Sequence, residues 1–370
     1  MLQISLGIAG TAKNTGKTTA TAAIIKELRI RGCAISLTSI GYDGEDLDNI
    51  TGLPKPKLSV EPGDLIITAE RCINACTANV KIIQKTHIST LLGKIVIAEV
   101  KSSGLAVIAG PNKISDVRKI STLLRQIRPG VIMIDGALNR IAPMVETDGF
   151  ILATGAARTT DILRLTRETE AISKICNLPA ARGGIEHLSL PSDNIVLLES
   201  NLRPIVRWPS SSLIIESDIT KLLSTIPSDM SYLYVPGIMS EKALNALRKL
   251  YKENSNKLSL VFQDPIKVLL TDEPVLVYEQ IDALRDCGIT VSVMKRLPLL
   301  AITVSPFYPQ YRMDIKSYSP AFVDPIALEE SIKSRVNIPV YDVLRCGVKE
   351  LVDFVLNSIL PYNESGIEHS

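Results

Sequence analysis

A lysine next to a glycine and two threonines lies near the start of the chain, in the sequence Gly16-Lys17-Thr18-Thr19. A lysine amine can pair with phosphate oxygens, and a threonine hydroxyl can bind the Mg²⁺ that accompanies them. The common phosphate-binding motif, Gly-x4-Gly-Lys-[Ser/Thr], requires a glycine at position 11, where this chain has threonine. The nearest glycine is Gly10, so the residues predict phosphate binding by a loop that is one residue longer.

Such a loop needs a strand before it and a helix after it. The strand delivers a turn whose N–H groups point at the anion, and the helix directs its positive N-terminus to the same place. Segment 3–9 is strand-like, and segment 16–32 has a helical period. We predict nucleotide contacts from Gly10, Thr11, Asn14, Thr15, Gly16, Lys17, Thr18 and Thr19. Lys17 and Lys13 are candidate catalytic lysines, and Thr18 is a candidate Mg²⁺ ligand; a chance helix start is the alternative.

An acidic segment follows the second predicted strand, at the carboxyl end of the sheet. Open parallel sheets bind ligands at this edge, where a carboxylate can hold Mg²⁺ or position a nucleophile. Asp43 is the first choice for this catalytic and metal-binding role, and Glu45 is the second. Asp46 and Asp48 lie in the same segment. An acidic surface loop without a ligand is the alternative.

A second carboxylate ends the apolar run Val131–Ile134. In this arrangement Asp135 would lie beside Lys17 and Thr18 as a Mg²⁺ ligand through water, and the Gly136 N–H could sense a γ-phosphate. Asn139 and Arg140, which follow, could add polar contacts. A strand-end aspartate with a structural role is the alternative.

Three other segments carry weaker signals. The small residues of segment 154–161 could admit a purine base, and segment 109–116 could line a second ligand or a partner surface. Cys72 and Cys76 are spaced by four residues, but a zinc site needs about four ligands and only His87 is near. Buried thiols are therefore favoured over a metal site.

The elements that must position these residues alternate between strand and helix. This alternation predicts an α/β fold with a parallel sheet and a second, smaller α/β domain. With the phosphate-binding motif from Gly10 to Thr18, the expected sheet is a Rossmann-like one of the P-loop NTPase kind. We place the nucleotide-binding domain at 1–205, the smaller domain at 206–345, and a C-terminal helix and tail at 346–370.

Composition excludes several classes of function. The chain has 370 residues with a net charge of +2, so no strong field draws it to nucleic acid or to an anionic membrane. Its apolar runs reach about eight residues, whereas a bilayer span needs roughly 20. The N-terminal segment lacks a basic region and a cleavage site. The sequence thus predicts a cytoplasmic protein with no nucleic-acid or membrane partner.

The longer loop has a known counterpart. The form Gly-Thr-x4-Gly-Lys-Thr, from Gly10 to Thr18, resembles the loop of dethiobiotin synthetases and cobyrinate amidotransferases. That branch of P-loop proteins also contains the MinD/ParA-type ATPases, many of which carry an early lysine that reaches a phosphate across a dimer. The resemblance implies ATP and Mg²⁺ as cofactors and raises the hypothesis of a homodimer. Lys13 lies one position later than that lysine, so action within its own chain, or simple solvation, stays an alternative.

Several further segments resemble one family within this branch. The segments 10–19, 37–56, 134–140, 148–157 and 299–315 together resemble the reactivase subunit KamB of lysine 5,6-aminomutase, and the resemblance extends to about Leu344. It implies an ATPase that exchanges damaged cobalamin in an adenosylcobalamin-dependent lysine or ornithine aminomutase. It also implies a MutS-like ATPase partner. Phe307, Tyr308 and Tyr311 are then candidate interface anchors, with core packing as the alternative.

Two other functions remain open at this point. A dethiobiotin-synthetase-like ligase would use ATP to activate a small carboxylate, with Lys13 or Lys113 near the γ-phosphate. A nucleotide-binding partner protein would bind ATP without hydrolysing it. The ligase should show little ATP turnover without its acid substrate.

Overall fold

The computed structural model describes residues 3–43, 58–137, 141–225, 230–252, 258–314 and 316–364. Its strands, numbered along the chain, are β1 (Ile4–Gly10), β2 (Ile35–Ser39), β3 (Tyr42–Asp43), β4 (Leu58–Val60), β5 (Leu65–Ala69), β6 (Asn79–Thr90), β7 (Gly93–Ser102), β8 (Gly104–Ala106), β9 (Ile108–Ala109), β10 (Val131–Ala137), β11 (Gly149–Gly155), β12 (Ile195–Glu199), β13 (Pro204–Trp208), β14 (Met230–Val235), β15 (Leu258–Phe262), β16 (Ile289–Val293), β17 (Leu299–Ser305), β18 (Phe307–Arg312), β19 (Ser317–Phe322) and β20 (Val340–Tyr341).

The α-helices are numbered in the same way. They are α1 (Lys17–Ile30), α2 (Ile114–Ile127), α3 (Ile162–Cys176), α4 (Glu216–Ser224), α5 (Glu241–Lys252), α6 (Pro265–Leu269), α7 (Pro274–Asp286), α8 (Pro325–Lys333) and α9 (Lys349–Glu364). None of the helices in the described ranges combines the length and the apolar character that a bilayer span requires.

The chain forms two compact units. The first contains residues 1–166 and 299–370, and the second contains residues 167–298. These bounds differ from the predicted domains, because β17 pairs in parallel with β11 and so belongs to the first sheet. Strands β12 and β13, in turn, belong to the second sheet. Local alternation of strands and helices cannot show which sheet a strand joins.

The first unit contains a nine-stranded sheet in the order β20-β17-β11-β1-β10-β2-β5-β7-β6. The strands from β20 to β5 are parallel, whereas β7 is antiparallel to both β5 and β6. The chain is therefore α/β, as predicted, but its large sheet is mixed and not wholly parallel. Only Leu91 and Leu92 separate β6 from β7, and so short a connection allows only antiparallel pairing.

The core of the first unit explains why its central strands form. Every residue of β1 and β11 is buried, as expected for strands covered on both faces. Helices α1 and α9 contribute Ile24, Leu28, Leu351 and Val355 to the apolar cluster on one face of this sheet. Arg31, the residue after α1, forms an ion pair with Asp353 of α9 at 2.6 Å and so links the two helices.

The second unit has a five-stranded sheet in the order β13-β12-β14-β15-β16. Strands β14, β15 and β16 are parallel, and β12 is antiparallel to both of its neighbours. Helices α5 and α7 connect the parallel strands along the chain. This unit is α/β as well.

We predict that Leu351→Ala will lower the free energy of unfolding of the first unit by about 2–5 kcal/mol, because it leaves a cavity where a fully buried side chain packs. Phe354→Ala is the matched control on the same helix, since this side chain is 38% exposed and its loss should cost only about 1 kcal/mol. Urea unfolding measures both. Equal losses would show that Leu351 does not pack in the core of the first unit.

Candidate functional site

The carboxyl ends of three parallel strands meet at one edge of the nine-stranded sheet. β1 lies between β10 and β11, and Gly10 is in register with Ala137 on one side and with Ala153 on the other. The chain then forms a six-residue loop, Thr11–Gly16, called here the β1–α1 loop, before α1 begins at Lys17. The strand, loop and helix that the sequence predicts are therefore present in that order.

Internal hydrogen bonds hold the β1–α1 loop in shape. The Thr15 hydroxyl donates to the Ala12 carbonyl at 3.0 Å, and Thr15 is buried. The Thr11 N–H donates to the Ala153 carbonyl at 3.0 Å, while the Thr11 and Thr154 hydroxyls are 3.0 Å apart. Two of the predicted nucleotide contacts, Thr11 and Thr15, thus have hydroxyls that form hydrogen bonds within the protein.

Two residues of the loop have left-handed backbone conformations. Asn14 has a φ of 62° and Gly16 a φ of 80°. Gly16 is the N-cap of α1, with no side-chain cap, and the first turn of α1 has no acidic residue. The first turn of a helix leaves N–H groups without helical partners, and its dipole favours negative charge. This end of α1 is accordingly suited to an anion.

An ion pair between a half-buried lysine and a buried carboxylate lies beside the helix N-terminus. The Lys17 Nζ is 3.0 Å from the Asp135 Oδ1, with the two side chains 16% and 6% exposed. Gly10 makes room for the lysine, because a Cβ there would lie 3.4 Å from the Lys17 Cδ and 3.2 Å from the Thr15 Oγ1. The structure thus brings Gly10, Lys17 and Asp135 together, and it places a cation and a carboxylate where the helix dipole ends.

The remaining predicted residues lie on the loop, in the first turn of α1 or outside the described residues. Thr18 and Thr19 lie half-buried in the first turn of α1, and Lys13 is exposed on the loop. The backbone of Asp43 belongs to β3, which pairs with β9, but its side chain lies outside the described residues. The predicted contributions of Glu45, Asp46, Asp48, Asn139 and Arg140 also fall outside the described residues.

The two neighbouring cysteines do not lie on an α-helix. A 3₁₀ helix spans Glu70–Ala75, with Cys72 buried and Cys76 half-buried. The Cys76 Sγ donates to the Cys72 carbonyl at 3.4 Å, and burial raises the pKa of both thiols. Within the described ranges, no three His, Cys, Asp or Glu side chains gather as a metal site would require.

Ser305 is a neighbour of the loop that the sequence does not reveal. It ends β17, and a Cβ built on Gly16 would lie 3.0 Å from the Ser305 Cβ. The predicted domain bounds place Ser305 in the second domain, but the pairing of β17 with β11 carries it to this edge. No motif or spacing links two residues so far apart in the chain.

A small apolar cavity between α1 and α9 is a different kind of feature. It measures about 10 Å³, and all the side chains that line it, including Leu28, Leu351 and Val355, are apolar. It offers no partner to an anion. The β1–α1 loop is therefore the better candidate site.

No model of a known protein family matches this chain, and no curated protein sequence matches it.

We predict that Gly16→Ala destabilises the protein more than Gly32→Ala. Both glycines have positive φ, which costs a non-glycine residue about 1–2 kcal/mol. Only the new Cβ at position 16 meets a neighbour, Ser305. Such overpacking costs a further 1–3 kcal/mol, roughly. Urea unfolding of the two variants measures the difference. Equal losses of unfolding free energy would show that Ser305 does not clash with a Cβ at position 16.

Proposed function

We propose that this chain is a P-loop NTPase that binds ATP with Mg²⁺ and hydrolyses it. The observation that carries the proposal is the Lys17–Asp135 ion pair at the uncapped N-terminus of α1. A lysine, a carboxylate and a helix N-terminus at the carboxyl edge of a parallel core are the groups that a Mg²⁺–polyphosphate ligand needs.

The residues present fit the two cofactors. Gly10 and Gly16 carry no Cβ, so the backbone around Lys17 can approach a phosphate closely. Mg²⁺ is commonly held by one or two protein oxygens, with substrate phosphates and water supplying the rest. The Thr18 hydroxyl and the Asp135 carboxylate would be the protein's share, and Asp43 is proposed as a third group. ATP supplies the phosphoryl group that is transferred, and Mg²⁺ neutralises its charge.

Different groups of the chain would bind different parts of the ligand. N–H groups of the β1–α1 loop and of the first turn of α1 bind phosphate oxygens. Lys17 adds a positive charge to the site, and its ion pair with Asp135 holds the amine in position. The bonds of Thr11 and Thr15 within the protein hold these donors near the position in which they would bind phosphate. Asp43 is proposed to orient the attacking water.

We further propose that ATP hydrolysis serves to reactivate an adenosylcobalamin-dependent lysine or ornithine aminomutase. The resemblance to KamB supports this role, and it adds a MutS-like ATPase as partner. A homodimer in which Lys13 reaches the partner's nucleotide belongs to the same proposal, since Lys13 is exposed on the loop. Steady ATP turnover without any carboxylic acid would favour this function over the dethiobiotin-synthetase-like ligase.

We expect Lys17→Ala to abolish ATP binding, because it removes the cation beside the helix N-terminus. Lys26→Ala on the exposed side of the same helix is the control and should bind ATP normally. Calorimetric titration with ATP and Mg²⁺ measures binding, and recovery of inactivated aminomutase measures function. If recovery survived Lys17→Ala, the β1–α1 loop would not drive reactivation.

We expect Asp135→Asn to reduce ATP hydrolysis by about 10–100-fold and to raise the Mg²⁺ concentration needed for half-maximal activity. The substitution keeps the shape of the side chain but removes the charge that would act on Mg²⁺ and on Lys17. Asp353→Asn, which disrupts an ion pair elsewhere in the first unit, is the control. An unchanged Mg²⁺ requirement in Asp135→Asn would exclude Asp135 from the metal site.

A further inference from the structure

A two-stranded hairpin begins one residue after Ser305. Strands β18 and β19 pair only with each other among the described strands, in register from Phe307 opposite Phe322 to Arg312 opposite Ser317. Tyr311 is 48% exposed and Phe322 is 65% exposed, so the hairpin presents large apolar side chains to its surroundings.

Ser305 is held on two sides. Its carbonyl accepts a hydrogen bond from the Ala156 N–H at 2.9 Å, and a Cβ on Gly155 would lie only 2.2 Å from the same oxygen. On the other side its Cβ faces Gly16, where an added Cβ would be 3.0 Å away. Ser305 is thus bonded to the residue after β11 and lies beside the β1–α1 loop at Gly16.

The contact continues into the hairpin through its base. The Val323 N–H donates to the Pro306 carbonyl at 3.0 Å, directly after Ser305. The Phe307 and Phe322 rings then pack edge to face, with centroids 5.9 Å apart. A continuous series of contacts thus runs from Gly16 through Ser305 to the first residue pair of the hairpin.

We propose that Ser305 couples the hairpin to the β1–α1 loop, so that a nucleotide bound at the loop stabilises the hairpin. This inference rests on the proposed nucleotide binding. A ligand that orders the loop stabilises whatever packs on the ordered form, and the effect is reciprocal. If bound nucleotide changes the affinity of the hairpin's exposed aromatic side chains for a protein partner, that partner changes the affinity of the loop for nucleotide by the same factor.

Hydrogen exchange on the full-length protein tests the coupling. The probe is the non-hydrolysable analogue adenylyl imidodiphosphate with Mg²⁺, and exchange is followed in the first turn of α1, in β18 and in β19. We expect exchange to slow in all three segments, in the hairpin by at least about fivefold, the lower end of typical coupling. Slowing in α1 with none in the hairpin would overturn the coupling and leave the proposed function standing. No slowing in either place would overturn both.

Two substitutions of Ser305 test whether the coupling depends on its Cβ, which faces Gly16. Ser305→Ala keeps the Cβ that faces Gly16 and should keep the response of the hairpin. Ser305→Gly removes this Cβ and should abolish the response while the protection of α1 remains. Ser317→Gly, at an exposed hairpin position, is the control for added flexibility and should preserve the response. A full response in Ser305→Gly would show that the contact with Gly16 is not the route.

Discussion

The parallel pairing of β1 on both of its edges is the constraint on which the site depends. Each of its seven residues is buried, and β10 and β11 pair with it up to Gly10. Because the neighbouring strands run in the same direction, their carboxyl ends open at the same edge. The backbone leaves the sheet there with its polar groups unpaired by the ladder, so the loop that follows must bond to itself or to a ligand.

The β1–α1 loop meets this requirement with short side chains. Thr11 and Thr15 form hydrogen bonds within the protein, while the left-handed Asn14 and Gly16 turn the backbone into α1. The helix then begins without a cap, which leaves its positive end directed at the edge of the sheet. Asp135 on the neighbouring strand offsets the charge of Lys17 there. The same geometry that completes the fold thus collects the charges on which we base the proposed function.

Much of this local arrangement could be predicted from the sequence. The apolar run before Gly10 and the helical period after Gly16 predict the strand and the helix, because both depend on neighbouring residues. The position of Asp135 at the end of an apolar run predicts that it lies near Lys17, and the structure places the two side chains 3.0 Å apart. The mixed sheet was not predicted, since strand direction depends on connections and on partners elsewhere in the chain.

The α/β class and the succession of strand, loop, lysine and helix follow from the local pattern of residues, because hydrogen bonds and periodicities within a few residues specify them. Three features become visible only in the folded chain: β17 joins the first sheet, β7 runs antiparallel, and Ser305 lies beside Gly16. These features depend on contacts between residues far apart in the chain. Such contacts form where the packing of the whole unit allows them, and they leave no periodicity in the sequence from which they could be read.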